Sequence, residues 1–165
     1  MDLSKWSQFR VAANFNASVQ EVYAAWATPA GIERWFLRSA VFVSPGGRTR
    51  GAEEYVQAGD RYTWLWHGYT DDVSEEKQVL AANGKDFLQF VFSDDTVVSV
   101  SIRAQEDFTL LELLQEKIKP DDDPERNLLV QCQVGWTFYL ANLKSILEGG
   151  VDLRNKRVDV LTNFK

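Results

Sequence analysis

One histidine, one cysteine, three consecutive aspartates and a glutamate set among leucines are the side chains of this chain best placed, by type and spacing, to do chemistry. His67 follows Trp64 and Trp66 in the run TWLWH. If that run is a strand, alternation turns the imidazole away from both indoles and toward solvent. Acid–base or triad chemistry needs companions around it, and no Gly-x-Ser-x-Gly supplies a nucleophile. Gly46 and Gly51 have the spacing of a phosphate loop, but Ala52 stands where the lysine belongs, so the β- and γ-phosphates would lack their cation. Arg48 and Arg50, beside Glu53 and Glu54, read as a solvated loop.

Asp121-Asp122-Asp123 would open a calcium loop only with glycine at the sixth position and glutamate at the twelfth. Those places hold Arg126 and Cys132. The acidic run suits the entry of a helix, where the peptide dipole favours negative charge. Cys132 falls on an apolar helical face and reads as an inert core thiol. As the only cysteine it has no partner for an internal disulfide or a Cys-x-x-Cys pair. The expectation is therefore no metal, no cofactor and no catalytic residue. Glu112 stays open. It lies between Leu110, Leu111, Leu113 and Leu114, so either strand face gives it apolar neighbours. Turned inward, burial would raise its pKa and make it a functional candidate. Turned outward, it is simply wet.

The elements that must hold these groups follow from periodicity. Phe9, Val11, Ala13 and Phe15 alternate with polar or small residues, which predicts a half-buried strand within 6–15. Ser18 and Glu21 have capping-box spacing, and Val19, Val22, Tyr23 and Trp26 form one helical face after them. Thr28-Pro29 restarts a second short helix carrying Ile32, Trp35 and Phe36. Residues 40–43 read as a strand and 44–60 as an irregular connection. Tyr62, Trp64 and Trp66 then alternate, a weaker strand spans about 75–81, and Asn83-Gly84 predicts a tight hairpin with positive φ at both positions. Leu88, Phe90 and Phe92, then Val98, Val100 and Ile102, then residues 109–118 continue an antiparallel meander. A helix is predicted over 125–148, roughly 36 Å long, with Leu129, Cys132, Trp136, Leu140 and Leu143 inward. Gly149 ends it. The order is α+β with an antiparallel sheet.

Composition narrows the function classes. Hydrophobic residues are 45% of the chain and charged residues 25%, which fits one globular domain over 1–165. The formal charge of −6 disfavours nucleic acid and anionic lipid as partners. No apolar run is long enough to insert in a membrane, and the start lacks a basic and apolar leader, so a cytoplasmic protein is expected. Aromatics at 13% call for either a bulky core or a lined cavity.

The stretches VYAAWATPAGIERWF at 22–36, GDRYTWLW at 59–66, FLQFVF at 87–92, TLLELLQEKI at 109–118 and GWTFYLANLKSILEGGVDLR at 135–154 stand in an order that resembles one family. It is the heat-shock protein 90 ATPase activator homologue-like family, within the START-like, birch-pollen-allergen-like superfamily. That resemblance implies a helix-grip fold: a curved antiparallel sheet, two short helices after the first strand, and a long C-terminal helix across the sheet. It also implies an apolar cavity between sheet and helix. The expected function is non-catalytic binding of a small hydrophobic or amphipathic molecule. Trp64, Trp66, Phe90, Val100, Trp136 and Leu140 are the expected walls, with Glu112 as polar handle. The alternatives are a co-chaperone-like module that engages a chaperone, and an enzyme of the polyketide-cyclase type that reuses the same fold.

Overall fold

The computed structural model describes residues 3–161. Strand β1 (Phe9–Phe15) opens the fold. Ser18 then starts helix α1 (Val19–Ala27). Its hydroxyl accepts from the Glu21 N–H at 3.1 Å while the Glu21 carboxylate accepts from the Ser18 N–H at 2.8 Å, closing the capping box. Thr28 caps α2 (Pro29–Glu33) by accepting from the Gly31 N–H at 3.0 Å. Gly31 is required by the close approach of the two helices, since a Cβ there would stand 2.0 Å from the Ala24 carbonyl oxygen.

The remaining strands are β2 (Ser39–Val43), β3 (Arg61–Leu65), β4 (Ser74–Ala82), β5 (Phe87–Phe92), β6 (Thr96–Ala104) and β7 (Thr109–Glu116). They form one sheet in the order β1-β7-β6-β5-β4-β3-β2, with every neighbour antiparallel. The two short helices carry the chain from one edge to the other. Register builds the concave face in rows. Leu88, Val100, Leu113 and Val11 are successive partners across β5, β6, β7 and β1, and Phe90, Val98, Gln115 and Phe9 form the next row. Period two thus puts a glutamine, Gln115, on the apolar face, where it is fully buried.

One turn differs from expectation. At the β4–β5 hairpin only Gly84 has positive φ, at 73°. The Asn83 carboxamide oxygen accepts from the N–H groups of Lys85, Asp86 and Phe87, so the side chain replaces a two-residue turn by a longer Asx-type one. Between β5 and β6, Asp94 and Asp95 both sit in the left-handed region, at φ 55° and 59°. Aspartate tolerates this better than most residues.

Helix α3 (Leu128–Leu147) is also shorter than its apolar stripe suggests. Asn127 caps it by accepting from the Val130 N–H at 3.1 Å, and residues 124–126 are turns, so its length is roughly 30 Å. Leu129, Trp136, Leu140 and Leu143 are buried as expected, while Cys132 is half-buried. Leu143 is 1% exposed. Leu143→Ala should therefore cost about 2–5 kcal/mol in a urea titration, and a loss below about 0.5 kcal/mol would deny its core position.

Past Gly149, the chain returns to α2. The Arg154 guanidinium donates to the carbonyls of Glu33, Arg34 and Leu37, and Asp152 holds it from the other side at 2.8 Å. The Asn142 amide donates to the Trp35 carbonyl at 2.8 Å and its oxygen accepts from the Leu153 N–H at 2.7 Å. These bonds satisfy carbonyls that the end of α2 would otherwise leave bare. The Arg154 guanidinium, with burial opposing it, drives the Asp152 carboxyl far below its ordinary range.

The connection from β2 to β3 is irregular but not a solvated loop throughout. Arg48 is exposed and pairs with Glu54 at 2.6 Å. Arg50 is 7% exposed and grips the fully enclosed Asp60 with two bonds of 2.8 Å.

Candidate functional site

Most of the space between sheet and helices is filled. Trp26, Trp35, Trp64, Tyr62, Phe42 and Phe90 are fully buried, and their rings pack edge-on or tilted against one another, except for Tyr62 and Trp64, which stack at 3.8 Å. Two spaces stay open there: a groove of about 310 Å³ between α3 and β1, and an aromatic-walled cleft of about 200 Å³ at one end, between the N-terminal half of α3 and the ends of β3 and β5. Phe36, Trp66, Phe92, Trp136 and Tyr139 wall it, with Ser93, Cys132 and Gly135 at its floor and rim. Phe36 stands 4.9 Å from both Trp136 and Tyr139, and Phe92 stands 5.3 Å from Trp136.

Each wall is held from behind. The Trp136 indole N–H donates to the Gln115 oxygen at 2.9 Å, and the Gln115 amide donates to the Thr96 hydroxyl at 3.0 Å. Burial, opposed by the Gln115 side chain, raises the pKa of the Cys132 thiol, which favours its neutral form. Gly135 lies in the middle of α3, where glycine costs about 1 kcal/mol relative to alanine. A Cβ there would meet nothing within 4 Å, and this residue keeps the rim of the cleft low.

The polar group behind the floor is Glu75. On β4 it is the direct partner of Trp64, so its side chain shares the concave face. It is half-buried, and one carboxylate oxygen is enclosed with no hydrogen-bond partner among the described residues. Burial, seconded by Asp94 and Asp95, raises its pKa against the opposing pull of Ser93 and Lys77. Lys77 is drawn away to Asp95 at 2.8 Å.

Of the residues expected to form the site, Trp66 and Trp136 line the cleft. Trp64 and Phe90 lie directly behind it, Trp64 at 5.7 Å from Phe36 and Phe90 at 6.5 Å from Trp136. Val100 is fully enclosed in its row and reaches no open space. Leu140 lines the separate groove of about 310 Å³ between α3 and β1, with Val11 and Ala13, and does not reach the cleft. Glu112 shares the convex face with Leu110 and Leu114 and pairs with Arg103 at 2.8 Å, so it is the wet alternative that holds. His67 is half-buried rather than solvent-facing, and burial together with the Arg154 and Lys156 charges lowers its pKa.

Glu75, Ser93 and Gln115 were not legible as site residues. The one available signal was alternation, which sets Glu75 opposite the Trp64 side of β3 and Gln115 in line with Leu111 and Leu113. Among the described residues no group of three or more His, Cys, Asp or Glu side chains could hold a metal, and no helix is long and apolar enough to cross a membrane.

Comparison with known proteins agrees with the architecture. A family model described as Activator of Hsp90 ATPase homolog 1-like protein matches residues 16–148. No curated protein sequence matches the chain. Among solved structures, protein SSP2350 from Staphylococcus saprophyticus is similar over 92% of this chain and 98% of its own, at 17% identity and TM-score 0.68. The Aha1 dimer from Colwellia psychrerythraea is similar over 87% and 97%, at 17% identity and TM-score 0.67. CalU16 from Micromonospora echinospora is similar over 88% and 77%, at 20% identity and TM-score 0.62. Identities this low establish a shared helix-grip fold and nothing finer.

Proposed function

The chain belongs to the Activator of Hsp90 ATPase homolog 1-like family, and from that premise we propose that it binds a small apolar or amphipathic molecule, without chemistry, in the cleft under α3. One observation carries this reading. Five aromatic side chains converge on a space that a mid-helix glycine leaves open, although a larger residue at position 135 would favour the helix. Volume limits the ligand. About 200 Å³ lies below the roughly 300–1,000 Å³ usual for drug-sized ligands, so the bound part is on the scale of a fused ring pair or a short acyl chain.

A naphthalene-sulfonate probe should bind the folded protein with micromolar affinity and quench tryptophan emission, because Trp66 and Trp136 form two walls. No saturable quenching would remove the reading. Val100→Trp does not plug this cleft, since Val100 lies in the packed interior and an indole there would overpack it.

A second reading is a protein-interaction module of the co-chaperone kind. It is favoured by the family description and by Val130, Val134 and Phe138, which form an exposed apolar stripe along α3. Stimulation of a purified Hsp90-type ATPase, lost in Val134→Glu with the fold intact, would support it over the first.

A further inference from the structure

The Asn83-Gly84 pair at the tip of the β4–β5 hairpin is a chemical site as well as a turn. In such a pair the glycine amide nitrogen can attack the asparagine side-chain carbonyl carbon, because glycine has no β-carbon to obstruct it. The bond from the Gly84 nitrogen to the Asn83 Cγ forms and the Cγ–Nδ2 bond breaks. The Gly84 amide proton leaves with the amine as ammonia. A five-membered imide remains, and water opens it to aspartate or isoaspartate. We propose that Asn83-Gly84 is a latent self-modification site of this kind, silenced by Tyr23 of α1 and released when the hairpin leaves that helix.

The geometry of one amide nitrogen carries the argument. Its three substituents lie in a plane. In the imide, Cγ takes the place that the hydrogen held, so ring closure requires the N–H direction to turn onto Cγ. In the folded chain that direction is occupied. The Gly84 N–H donates to the Tyr23 hydroxyl at 3.0 Å, a contact between residues 61 positions apart. Tyr23 is 1% exposed, so its oxygen is a fixed point. Burial raises the Tyr23 pKa, so the phenol keeps its own proton and is no base for the Gly84 one. The carbon under attack is held as well. The Asn83 oxygen accepts from the N–H groups of Lys85, Asp86 and Phe87 at 2.9, 3.0 and 3.0 Å, and its amine donates to the Asp86 carboxylate at 2.6 Å. Three N–H groups on that oxygen would stabilise the oxyanion formed by attack. That benefit needs a nucleophile in line, and Tyr23 points it elsewhere. Both residues of the pair are exposed, so the water that completes the reaction is at hand. Hydrolysis does not restore asparagine, so each opening that leads to attack is recorded permanently.

The test follows conversion of the full chain by mass spectrometry at mildly alkaline pH, with peptide mapping at Asn83. The folded protein should convert about tenfold more slowly, or slower still, than the same chain in concentrated urea. That slowing should match, within about threefold, the protection of the Gly84 amide against hydrogen exchange, because both reactions need the same local opening. Tyr23→Phe keeps the buried ring and removes only the oxygen. It should raise the conversion rate of the folded protein about fivefold or more. Equal rates in the folded and unfolded chain overturn the proposal, as does a folded Tyr23→Phe protein that converts no faster than the parent. If Tyr23→Phe does not fold, the parent decides the matter, and a slowing that departs from the Gly84 protection by more than about threefold overturns the proposal.

Discussion

Arg50→Met should cost about 3–5 kcal/mol of stability. Asp60 is wholly enclosed and receives two bonds from the Arg50 guanidinium and one from the Gln57 N–H at 2.9 Å. Burial alone would push its carboxyl up, but Arg50 and the Gln57 N–H bring it below the ordinary value. Removing the arginine leaves a buried charge with one partner. The second change, Asp60→Asn, takes that charge away while still accepting from Gln57, so the double variant should recover more than half of the loss. Urea titrations of the three variants measure this, and a double variant no better than Arg50→Met would show that the guanidinium's packing matters rather than its charge. The sign with pH follows. A depressed folded pKa contributes stability that is complete above the unfolded value near 3.9 and is lost as pH falls through the folded one. The double variant should therefore lose less stability than the parent below about pH 4.

Gly135→Leu should abolish probe binding while leaving the fold as stable as the parent or more so. Glycine in a helix interior is less favourable than leucine by about 1 kcal/mol, and no atom within 4 Å opposes the new Cβ. The branched side chain would project into the rim formed with Cys132, Trp136 and Tyr139 and fill much of a 200 Å³ space. The expected result is at least a tenfold loss in affinity with an unchanged or raised melting temperature. A stable Gly135→Leu protein that binds the probe as before would move the binding site elsewhere, and the convex face is the place to look next. A shallow groove of about 410 Å³ lies there, lined by Arg61, Leu80, Val91, Val97 and Lys117.

The two changes pull in opposite directions for one reason. Arg50 and Asp60 stabilise the connection between β2 and β3 and touch no ligand surface. Gly135 lowers helix stability and, in the proposed site, leaves the cleft open.

What the sequence determined by itself is local and periodic. The Ser18 and Thr28 caps, the inward rows of β1, β5 and β6, the apolar stripe of α3 and its end at Gly149 follow from side-chain spacing within a few residues, where one backbone geometry satisfies the pattern. The family order of these stretches then pointed to the helix-grip arrangement. Tertiary structure decided everything that depends on residues meeting across the chain. Arg50 reads as loop until Asp60, ten residues on, encloses it. Arg154 reads as a tail residue until the carbonyls of α2 are brought to it. Glu112 and Gln115 lie on one strand and differ only in which face the register turns inward. Whether the aromatics make a core or a cavity is a question of volume, settled only when Trp26, Trp64 and Phe90 have filled the middle and the rim at Gly135 has not. Periodicity specifies which side a residue faces. Packing alone specifies how much space is left when all of them have arrived.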